Sequence, residues 1–327
     1  MSAPDTQLDL VTGAFSNSGS YIARALIDAG RGVRTLTFHP DRAHPLRSVV
    51  EALPYRFDDP VQLARSLDGV ATLYNTYWVR FERGGTRFAD AVSNSRALFY
   101  AARRAGVSRI VHVSVTNASI ASTLGYFRGK AMVERSLAEV GVPYAIVRPA
   151  WIFGGEHEVL ANNIAWVLRH FPVFVLPGDG RYPVQPVHIE DLARICVEAG
   201  SAEGDVILDA AGPETMTFEE LVGAVRQAVG TRARIVHVPP AAMQAAARAL
   251  GQLTRDVVLT RDEIAGLTSG LLFSERAPLG RIAFTRWLAE NGDSLGGAYA
   301  NELHRHFARK TDETRSLGSP LRLARQS

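Results

Sequence analysis

Tyr126 and Lys130 lie four residues apart in the stretch YFRGK and could together transfer a proton. On a helix this spacing places both side chains on one face. A phenol has an ordinary pKa of about 10, and it acts as an acid or base near neutral pH only when a neighbouring positive charge favours the phenolate. Lys130 can supply that charge, and it is one of only two lysines among 36 basic residues. The pair predicts a general acid or base, and the alternative is two unrelated residues on a helix surface.

The stretch LDLVTGAFSNSG at residues 8–19 has the pattern of a short strand, a phosphate-binding turn and a helix that begins near Ser20. Small side chains let the backbone approach an anion, and a helix N-terminus offers unpaired N–H groups. We expect Gly13 to make the tight turn and Gly19 to pack the helix against the strand. Ser16 replaces the middle glycine of the usual pattern, and its hydroxyl could bond a pyrophosphate. The alternative is an ordinary turn between a strand and a helix.

Strand and helix patterns alternate along residues 1–150, which predicts an α/β fold with a doubly wound parallel sheet. Residues 151–308 are expected to form a smaller, mostly helical substrate lobe with elements that return to the sheet, and residues 309–327 a loose basic tail. Two capping boxes, Thr217 with Glu220 and Thr260 with Glu263, predict helix starts in this lobe. The expected strands of the core are Leu8–Thr12, Val33–Phe38, Tyr55–Phe57, Ala71–Asn75, Ile110–Ser114 and Tyr144–Arg148.

Composition and charge argue against several classes of protein. Within the 327 residues, the tail carries five basic and two acidic residues, which accounts for the whole formal net charge of +3, and no nucleic-acid-binding motif is present. Cys196 is the only cysteine, so an internal disulfide and a thiolate metal cluster are excluded. The N-terminal segment lacks signal-peptide character and no apolar run reaches membrane length. We therefore expect a cytoplasmic protein without metal, nucleic-acid or membrane partners.

Four stretches together resemble the extended and atypical short-chain dehydrogenase/reductase superfamily. They are TGAFSNSG at 12–19, the Y-x-x-x-K pair, RPAWIFGG at 148–155 and PGDGRYPVQPVHIEDLA at 177–193. Within the superfamily the chain most resembles the NAD(P)-binding epimerase/dehydratase-like group, which is related to the NmrA-like proteins and to an accessory subunit of respiratory complex I. The resemblance covers about residues 8–230. It implies a Rossmann-like core and an NAD(P) cofactor, and by analogy a homodimer.

The resemblance also implies roles for the residues of the proton-transfer site. In the superfamily a tyrosine transfers the proton, a lysine binds the nicotinamide ribose and lowers the tyrosine pKa, and a serine or threonine polarises the reacting oxygen. Tyr126 and Lys130 match the first two roles. Thr116 is favoured for the hydroxyl and Ser114 is the second choice. The alternative is that both hydroxyls satisfy backbone groups at a strand end.

The resemblance implies a set of cofactor-binding residues. No acidic residue follows the second strand, and His39 and Arg42 could face a 2′-phosphate, so NADP is favoured over NAD. Phe57 lies in the adenine region, where Arg56 takes the usual position of an aspartate and Asp58 is the nearest carboxylate. The remaining expected contacts are Gly13, Phe15, Ser16, Asn17, Ser18, Gly19, Asn75, Thr76, Lys130, Pro149 and Ile152.

One departure from the superfamily bears on the substrate. Sugar-nucleotide epimerases carry a diphosphate-binding arginine four residues after the second glycine of GDG, where this chain has Val184. We therefore expect a small substrate that is not a sugar nucleotide. Six aromatic residues could line an apolar pocket or belong to the core: Trp151, Phe153, Trp166, Phe171, Phe174 and Tyr182. The predicted function is an NAD(P)-dependent oxidoreductase or epimerase/dehydratase, and the alternative is an NAD(P)H-binding sensor or structural subunit without turnover.

Overall fold

A seven-stranded sheet forms the centre of the protein, and the computed structural model describes residues 7–156, 158–301 and 303. All neighbouring strands in this sheet are parallel. The predicted doubly wound α/β fold is confirmed. From one edge to the other the strands are β11 (Val206–Ala210), β6 (Tyr144–Pro149), β5 (Arg109–Val113), β4 (Val70–Asn75), β1 (Leu8–Thr12), β2 (Gly32–Thr37) and β3 (Val50–Pro54).

Helices cover both faces of the sheet because the interior strands are buried on both sides. On one face lie α2 (Pro60–Arg65), α3 (Phe88–Arg104) and α4 (Gly125–Ala138), and α3 packs against both of its neighbours. On the other face α1 (Asn17–Asp28) packs against α6 (Ile189–Gly200). The strand order reverses between β1 and β4, which places a crevice at their carboxyl ends.

The second lobe has its own apolar core and three two-stranded sheets. The sheets pair β7 (Trp151–Phe153) with β10 (Pro186–His188), β8 (Val173–Pro177) with β13 (Arg234–Val238), and β9 (Pro183–Val184) with β12 (Met216–Thr217). Both predicted capping boxes are present. The helices of the lobe are α5 (Leu160–His170), α7 (Phe218–Ala228), α8 (Pro240–Thr254), α9 (Arg261–Thr268) and α10 (Phe284–Asn291).

Two expectations about the core were wrong. The third strand is Val50–Pro54 and not Tyr55–Phe57, because Tyr55 and Phe57 stack on each other just beyond the sheet edge, with ring centroids 4.8 Å apart. Helix α1 begins at Asn17 and not near Ser20, because Ser16 takes the N-cap position. The predicted tail at 309–327 lies outside the described residues. Among the described helices, none is both long enough and apolar enough to cross a membrane.

We predict that Gly19→Ala lowers the free energy of unfolding by about 1–3 kcal/mol, because the added methyl group overpacks the turn. An added Cβ would lie 2.7 Å from the carbonyl carbon of Gly13 and nearer still to its oxygen. The matched control is Gly223→Ala in α7, where an added Cβ meets no atom within 4 Å. The control should be neutral or stabilising by about 0.5–1 kcal/mol. Urea unfolding measures both variants, and equal losses would contradict the packing argument.

Candidate functional site

The turn between β1 and α1 has the features of an anion site. Gly13 adopts a positive φ of 67°, and no side chain caps the first turn of α1, which contains no acidic residue. The helix N-terminus is thus open to an anion. The Oδ1 atom of Asn17 is buried and has no hydrogen-bond partner among the described residues. Such an orphaned acceptor fits a ligand that donates a hydrogen bond, as a dinucleotide can.

Ser16 does not serve this turn as expected. Its backbone N–H and its hydroxyl both donate to the carbonyl oxygen of Gly13, at 2.8 and 2.6 Å. The hydroxyl therefore closes the turn, and its contact with a pyrophosphate stays a prediction. The same intraturn bond explains how serine replaces a glycine here, because its side chain folds back onto its own loop.

Thr12, at the end of β1, fixes the neighbouring loop after β4. Its hydroxyl accepts hydrogen bonds from the backbone N–H groups of Thr76 (2.7 Å) and Tyr77 (3.1 Å). The hydroxyl of Thr76 donates in turn to the Thr12 carbonyl oxygen at 2.5 Å. Asn75 is fully buried, and its amide nitrogen lies 3.1 Å from Nδ1 of His112. Its side-chain oxygen accepts from the backbone N–H of Tyr77 at 3.2 Å, so Asn75 supports the loop, and its contact with a cofactor stays a prediction.

Four aromatic rings gather at the carboxyl ends of β2, β3 and β4. Phe38 and Tyr55 have ring centroids 4.7 Å apart, and Phe57 and Tyr77 have centroids 5.3 Å apart. Phe38 is 60% exposed, so the cluster presents an apolar surface beside the crevice. Asp58 is exposed and lies next in sequence to this cluster. The position of Phe57 fits a stacking surface for a planar base, and no local sequence pattern indicated Tyr55 and Tyr77 beside it.

The residues after β2 form a short turn. The backbone N–H of His39 donates to the hydroxyl of Thr37 at 3.2 Å, and that of Arg42 donates to the His39 carbonyl at 3.1 Å. The His39 side chain is exposed and Arg42 is half-buried. The two residues thus lie together at the end of β2. At this position, dinucleotide-binding folds distinguish the ribose 2′-hydroxyl of NAD from the 2′-phosphate of NADP.

Tyr126 and Lys130 lie on one face of α4, and an unexpected third residue touches both. The indole of Trp78 lies 4.8 Å from Nζ of Lys130 and meets the ring of Tyr126 edge-on, with centroids 5.9 Å apart. Lys130 is 3% exposed, and its amine donates to the carbonyl oxygen of Val113 at 2.9 Å. No sequence pattern indicated Trp78, because its proximity to Tyr126 and Lys130 depends on the path of the loop after β4.

The pKa values of the two groups differ from the sequence-based expectation. Burial lowers the pKa of Lys130 to about 7, and the nearby carboxylate of Glu134 opposes this shift. Removal from water raises the pKa of Tyr126 to about 12, the charge of Glu263 raises it further and Arg80 lowers it. Lys130 is not among the groups that shift the Tyr126 pKa, so the expected lowering is corrected. At neutral pH Tyr126 is a protonated phenol that can donate a proton.

The two candidate hydroxyls after β5 do not meet Tyr126. Ser114 donates to Glu134 at 2.5 Å, and Thr116 donates to the carbonyl oxygen of Leu271 at 2.8 Å. Val115, between them, lines the cavity that separates the core from the second lobe. Thr116 thus matches the alternative, in which the hydroxyls satisfy backbone groups, whereas Ser114 bonds a side-chain carboxylate. Alternation along an extended segment explains the result, because it turns the residues on either side of Val115 away from the cavity.

The cavity between the core and the second lobe has a volume of about 470 Å³. Its wall is mainly aliphatic and aromatic, with Tyr126 and Asn17 on the core side and Ile152 of β7 on the lobe side. The polar groups in the wall include an ion pair, in which Nε of Arg80 lies 2.7 Å from the carboxylate of Glu263. Helices α5, α7, α8 and α9 and strands β7 and β8 all contribute to the lobe side of the wall.

The predicted aromatic residues divide between the cavity and the core. Trp151 and Phe174 line the cavity, whereas Phe153 and Tyr182 are buried in the core of the second lobe. Trp166 stacks on His170 with ring centroids 4.7 Å apart and meets Phe171 edge-on. Neither Trp166 nor Phe171 lines the cavity.

The positions that bear on sugar nucleotides and metals are structural. Val184 is fully buried and cannot bind a diphosphate. Pro149 lies at the buried end of β6, where its carbonyl oxygen accepts from the Thr116 N–H at 3.0 Å. His188 caps α6 by accepting from the Glu190 N–H at 3.3 Å. Within the described ranges, no group of three or more histidine, cysteine, aspartate or glutamate residues could hold a metal ion.

Comparison with known proteins connects this site to dinucleotide binding. A protein-family model described as NAD(P)H-binding matches residues 13–163. An Arabidopsis thaliana protein, NADH dehydrogenase [ubiquinone] 1 alpha subcomplex subunit 9, mitochondrial, is 25% identical over 288 residues, which cover 82% of this chain and 71% of that protein. Sterol demethylase protein B of Methylococcus capsulatus is 32% identical over 168 residues, which cover 44% of this chain and 51% of that protein.

Solved structures share the fold. The NADPH-dependent quinone oxidoreductase QOR2 of Escherichia coli, complexed with NADPH, matches with a TM-score of 0.70 and 22% identity, over 88% of this chain and 99% of that one. A nucleoside-diphosphate-sugar epimerase of Staphylococcus aureus matches with a TM-score of 0.69 and 16% identity, over 87% of this chain and all of that one (100%). These likenesses establish the architecture of the chain.

We predict that Lys130→Met removes a pH-dependent component of stability. Lys130 has a pKa of about 7 in the folded protein, against 10.5 for the ordinary amine, so the folded state binds fewer protons between these values. The free energy of unfolding of the wild type should therefore rise with pH from about 7 to about 10, with a slope from this group of up to ~1.4 kcal/mol per pH unit. Urea unfolding at several pH values measures the slope, and parallel curves for the two proteins would contradict the assignment.

Proposed function

We propose that this chain is an oxidoreductase that reduces a carbonyl or quinone-type group on an apolar substrate. The chain belongs to the NAD(P)H-binding, extended short-chain dehydrogenase/reductase class, which supports this proposal. The observation that carries the proposal is the protonated phenol of Tyr126 on the wall of a largely apolar cavity. That cavity also contains Asn17, the first residue of the helix that follows the phosphate-binding turn. Proton donor and cofactor site thus meet at one cavity.

The residues present fit an NAD(P)H cofactor, which when bound supplies a hydride. The turn at Gly13 and the uncapped N-terminus of α1 would hold the diphosphate. The aromatic surface formed by Phe38, Tyr55, Phe57 and Tyr77 would hold the adenine. Lys130 would hold the ribose next to the nicotinamide, as the family resemblance implies, with its amine already anchored on Val113.

Tyr126 acts as the general acid in this proposal. Its raised pKa keeps the hydroxyl protonated at neutral pH, so it can donate a hydrogen bond to a substrate oxygen and then transfer the proton as negative charge develops there. Glu263 supports this state because its negative charge disfavours the phenolate. The arrangement suits reduction better than oxidation, since oxidation needs Tyr126 to begin as a base.

The apolar wall and the relatives support an apolar substrate. The cavity of about 470 Å³ has the size typical of sites for drug-sized molecules. One structural neighbour is a quinone oxidoreductase by name, and one relative carries sterol demethylase in its name. A sugar nucleotide is disfavoured because Val184 takes the place of the diphosphate-binding arginine.

A second candidate is a cofactor-binding structural subunit or sensor without turnover. Two observations favour it: the hydroxyls of Ser114 and Thr116 are engaged elsewhere, and Trp78 lies against both Tyr126 and Lys130. The Arabidopsis relative is named as a subunit of NADH dehydrogenase. This candidate requires that the wild-type protein binds NAD(P)H and reduces no apolar carbonyl compound or quinone.

We predict that Tyr126→Phe lowers kcat for quinone or ketone reduction by about 10²–10⁴-fold, because the proton donor is lost. NAD(P)H binding should be unchanged, which fluorescence titration of the reduced cofactor measures directly. Tyr100→Phe is the matched control, because Tyr100 is 41% exposed on α3 and does not line the cavity. Near-normal turnover by the Tyr126→Phe variant would contradict the mechanism, and a wild type without turnover supports the structural candidate.

We also propose NADPH as the preferred cofactor, because His39 and Arg42 lie at the end of β2 and no acidic residue follows the strand directly. Arg42→Ala should weaken NADPH binding at least tenfold and leave NADH binding within twofold, about the effect of losing one charge-assisted bond of ~1.5–3 kcal/mol. Arg47→Ala is the control, an exposed arginine on the short helix Pro45–Ser48. Equal loss of both cofactors, or tighter NADH binding by the wild type, would count against NADPH.

A further inference from the structure

A second cavity, of about 480 Å³, adjoins the first and has the opposite character. Among the described residues, its wall contains the arginines Arg83, Arg248 and Arg255 and one carboxylate, that of Asp256. None of the three arginines makes an ion pair with another described residue. Cationic groups that gather around a cavity without carboxylate partners favour an anionic ligand.

The carboxylate of Asp256 is already satisfied by the protein. One oxygen accepts from the N–H groups of Val257 (2.9 Å) and Leu303 (3.0 Å), and the other accepts from the hydroxyl of Tyr299 (3.0 Å). These donors hold the carboxylate beside the end of α8. Three guanidinium groups against one carboxylate leave the described part of the wall with a net positive charge.

The backbone holds two of the arginines in defined places. Arg83 and Thr86 exchange two backbone hydrogen bonds, of 3.2 and 3.0 Å, around Gly84 and Gly85. Both glycines have positive φ angles, 59° and 90°, as a tight two-residue turn requires. This turn fixes the backbone at Arg83, which lines the cavity.

Arg255 follows the end of α8 with a φ of 54°, in the left-handed region. Glycine is the usual residue at such a helix end, because a side chain there is strained. Strain of this kind is often found at functional sites. The position holds a long cationic side chain where a glycine would be more stable, which points to a role for the guanidinium group.

The two cavities share part of their walls, formed by the end of α8 and the segment that leads to α9. Five residues line both: Ala247, Asp256, Val257, Val258 and Leu259. An apolar chamber thus lies next to a cationic one, at opposite sides of a short irregular segment. A molecule with an apolar body and a charged end would match both.

We propose that the ligand of this site is a single-chain or ring amphiphile with one anionic group, a carboxylate or a phosphate. The apolar body lies in the larger cavity, and the anion is bound by Arg83, Arg248 and Arg255 in the smaller one. This inference rests on the proposed function in that it names the class of substrate that Tyr126 would meet.

The test measures binding without cofactor, so that it does not depend on turnover. Dodecanoate, dodecyl phosphate and dodecanol, each below its micelle concentration, are titrated against the protein, and quenching of tryptophan fluorescence reports binding because Trp151 lines the larger cavity. The anions should bind at least tenfold more tightly than the alcohol, and this preference should shrink as salt is added. From octanoate to dodecanoate the affinity should rise by up to about fourfold per methylene.

Arg255→Gly gives the sharpest variant. It should weaken binding of both anions at least fivefold, leave dodecanol unchanged and raise the melting temperature, since the strain at this position is relieved. Arg83→Gln and Arg248→Gln should each weaken the anions without changing stability. Arg96→Gln is the control, an exposed arginine on α3 that lies 5.7 Å from the ring of Tyr100 and lines neither cavity.

Three results would overturn the inference: equal affinity for the alcohol and the anions, no dependence on chain length, or binding to anionic vesicles only. Tighter binding of one anion, dodecanoate or dodecyl phosphate, than of the other supports the inference and identifies the anionic group. If the wild type reduces no substrate but keeps the anion preference, the proposed reduction fails and the ligand assignment stands. If it reduces neutral apolar substrates without any anion preference, the ligand assignment fails and the proposed reduction stands.

Discussion

The site depends on the attachment of the second lobe to the start of helix α4. The first N–H groups of a helix have no partner within it, and at α4 no side chain of the N-cap residue Leu124 supplies one. Asp262 of α9 does so instead, by accepting from the N–H of Gly125 at 3.1 Å. Close by, Gly266 allows α9 to approach Phe127, because an added Cβ would lie 2.9 Å from that ring. The helix that carries Tyr126 is thus capped by the other lobe.

This attachment also determines the electrostatics of the cavity. Helix α9 brings Glu263 to the cavity wall, where it pairs with Arg80 at 2.7 Å and disfavours the Tyr126 phenolate. A second contact, between Thr116 and the carbonyl of Leu271, fastens the loop after β5 to the same lobe. A hydroxyl that would otherwise be free to hold a substrate oxygen is used here for attachment. The lobe therefore forms one side of the cavity, and its Glu263 adds to the effect of burial in raising the pKa of Tyr126.

Local sequence signals predicted much of the fold and part of the site. Glycine spacing, strand periodicity and Thr-x-x-Glu boxes act within a few residues, so the turn at Gly13, the parallel sheet and the starts of α7 and α9 were predictable. The edge strand β3 was predicted too far along the chain, because the aromatic residues after it resemble a strand in sequence. Four of its five residues are half-buried or exposed, so it lacks the continuous apolar run of an interior strand.

The remainder could not be predicted because it arises from contacts between residues distant in sequence. The distance from Trp78 to Lys130, the position of Glu263 near Tyr126 and the direction of the Ser114 hydroxyl each depend on how separate elements pack. A lysine in a Y-x-x-x-K pair is expected to raise the acidity of its tyrosine. Here burial lowers the pKa of Lys130 itself, and its amine donates to the carbonyl oxygen of Val113. The two residues are therefore close in sequence without electrostatic coupling between them.

The same distinction explains why relatives named as an oxidoreductase and as a respiratory subunit share one architecture with this chain. The match to the NAD(P)H-binding family spans residues 13–163, which include the turn, α4 and the core wall of the cavity. It ends before α8 and α9, which supply much of the opposite wall. Because the turn is built from local backbone geometry, it can persist whether or not a reaction takes place. In the proposed function the chemistry depends on the lobe, so the substrate class must be sought in the residues that face Tyr126 across the cavity.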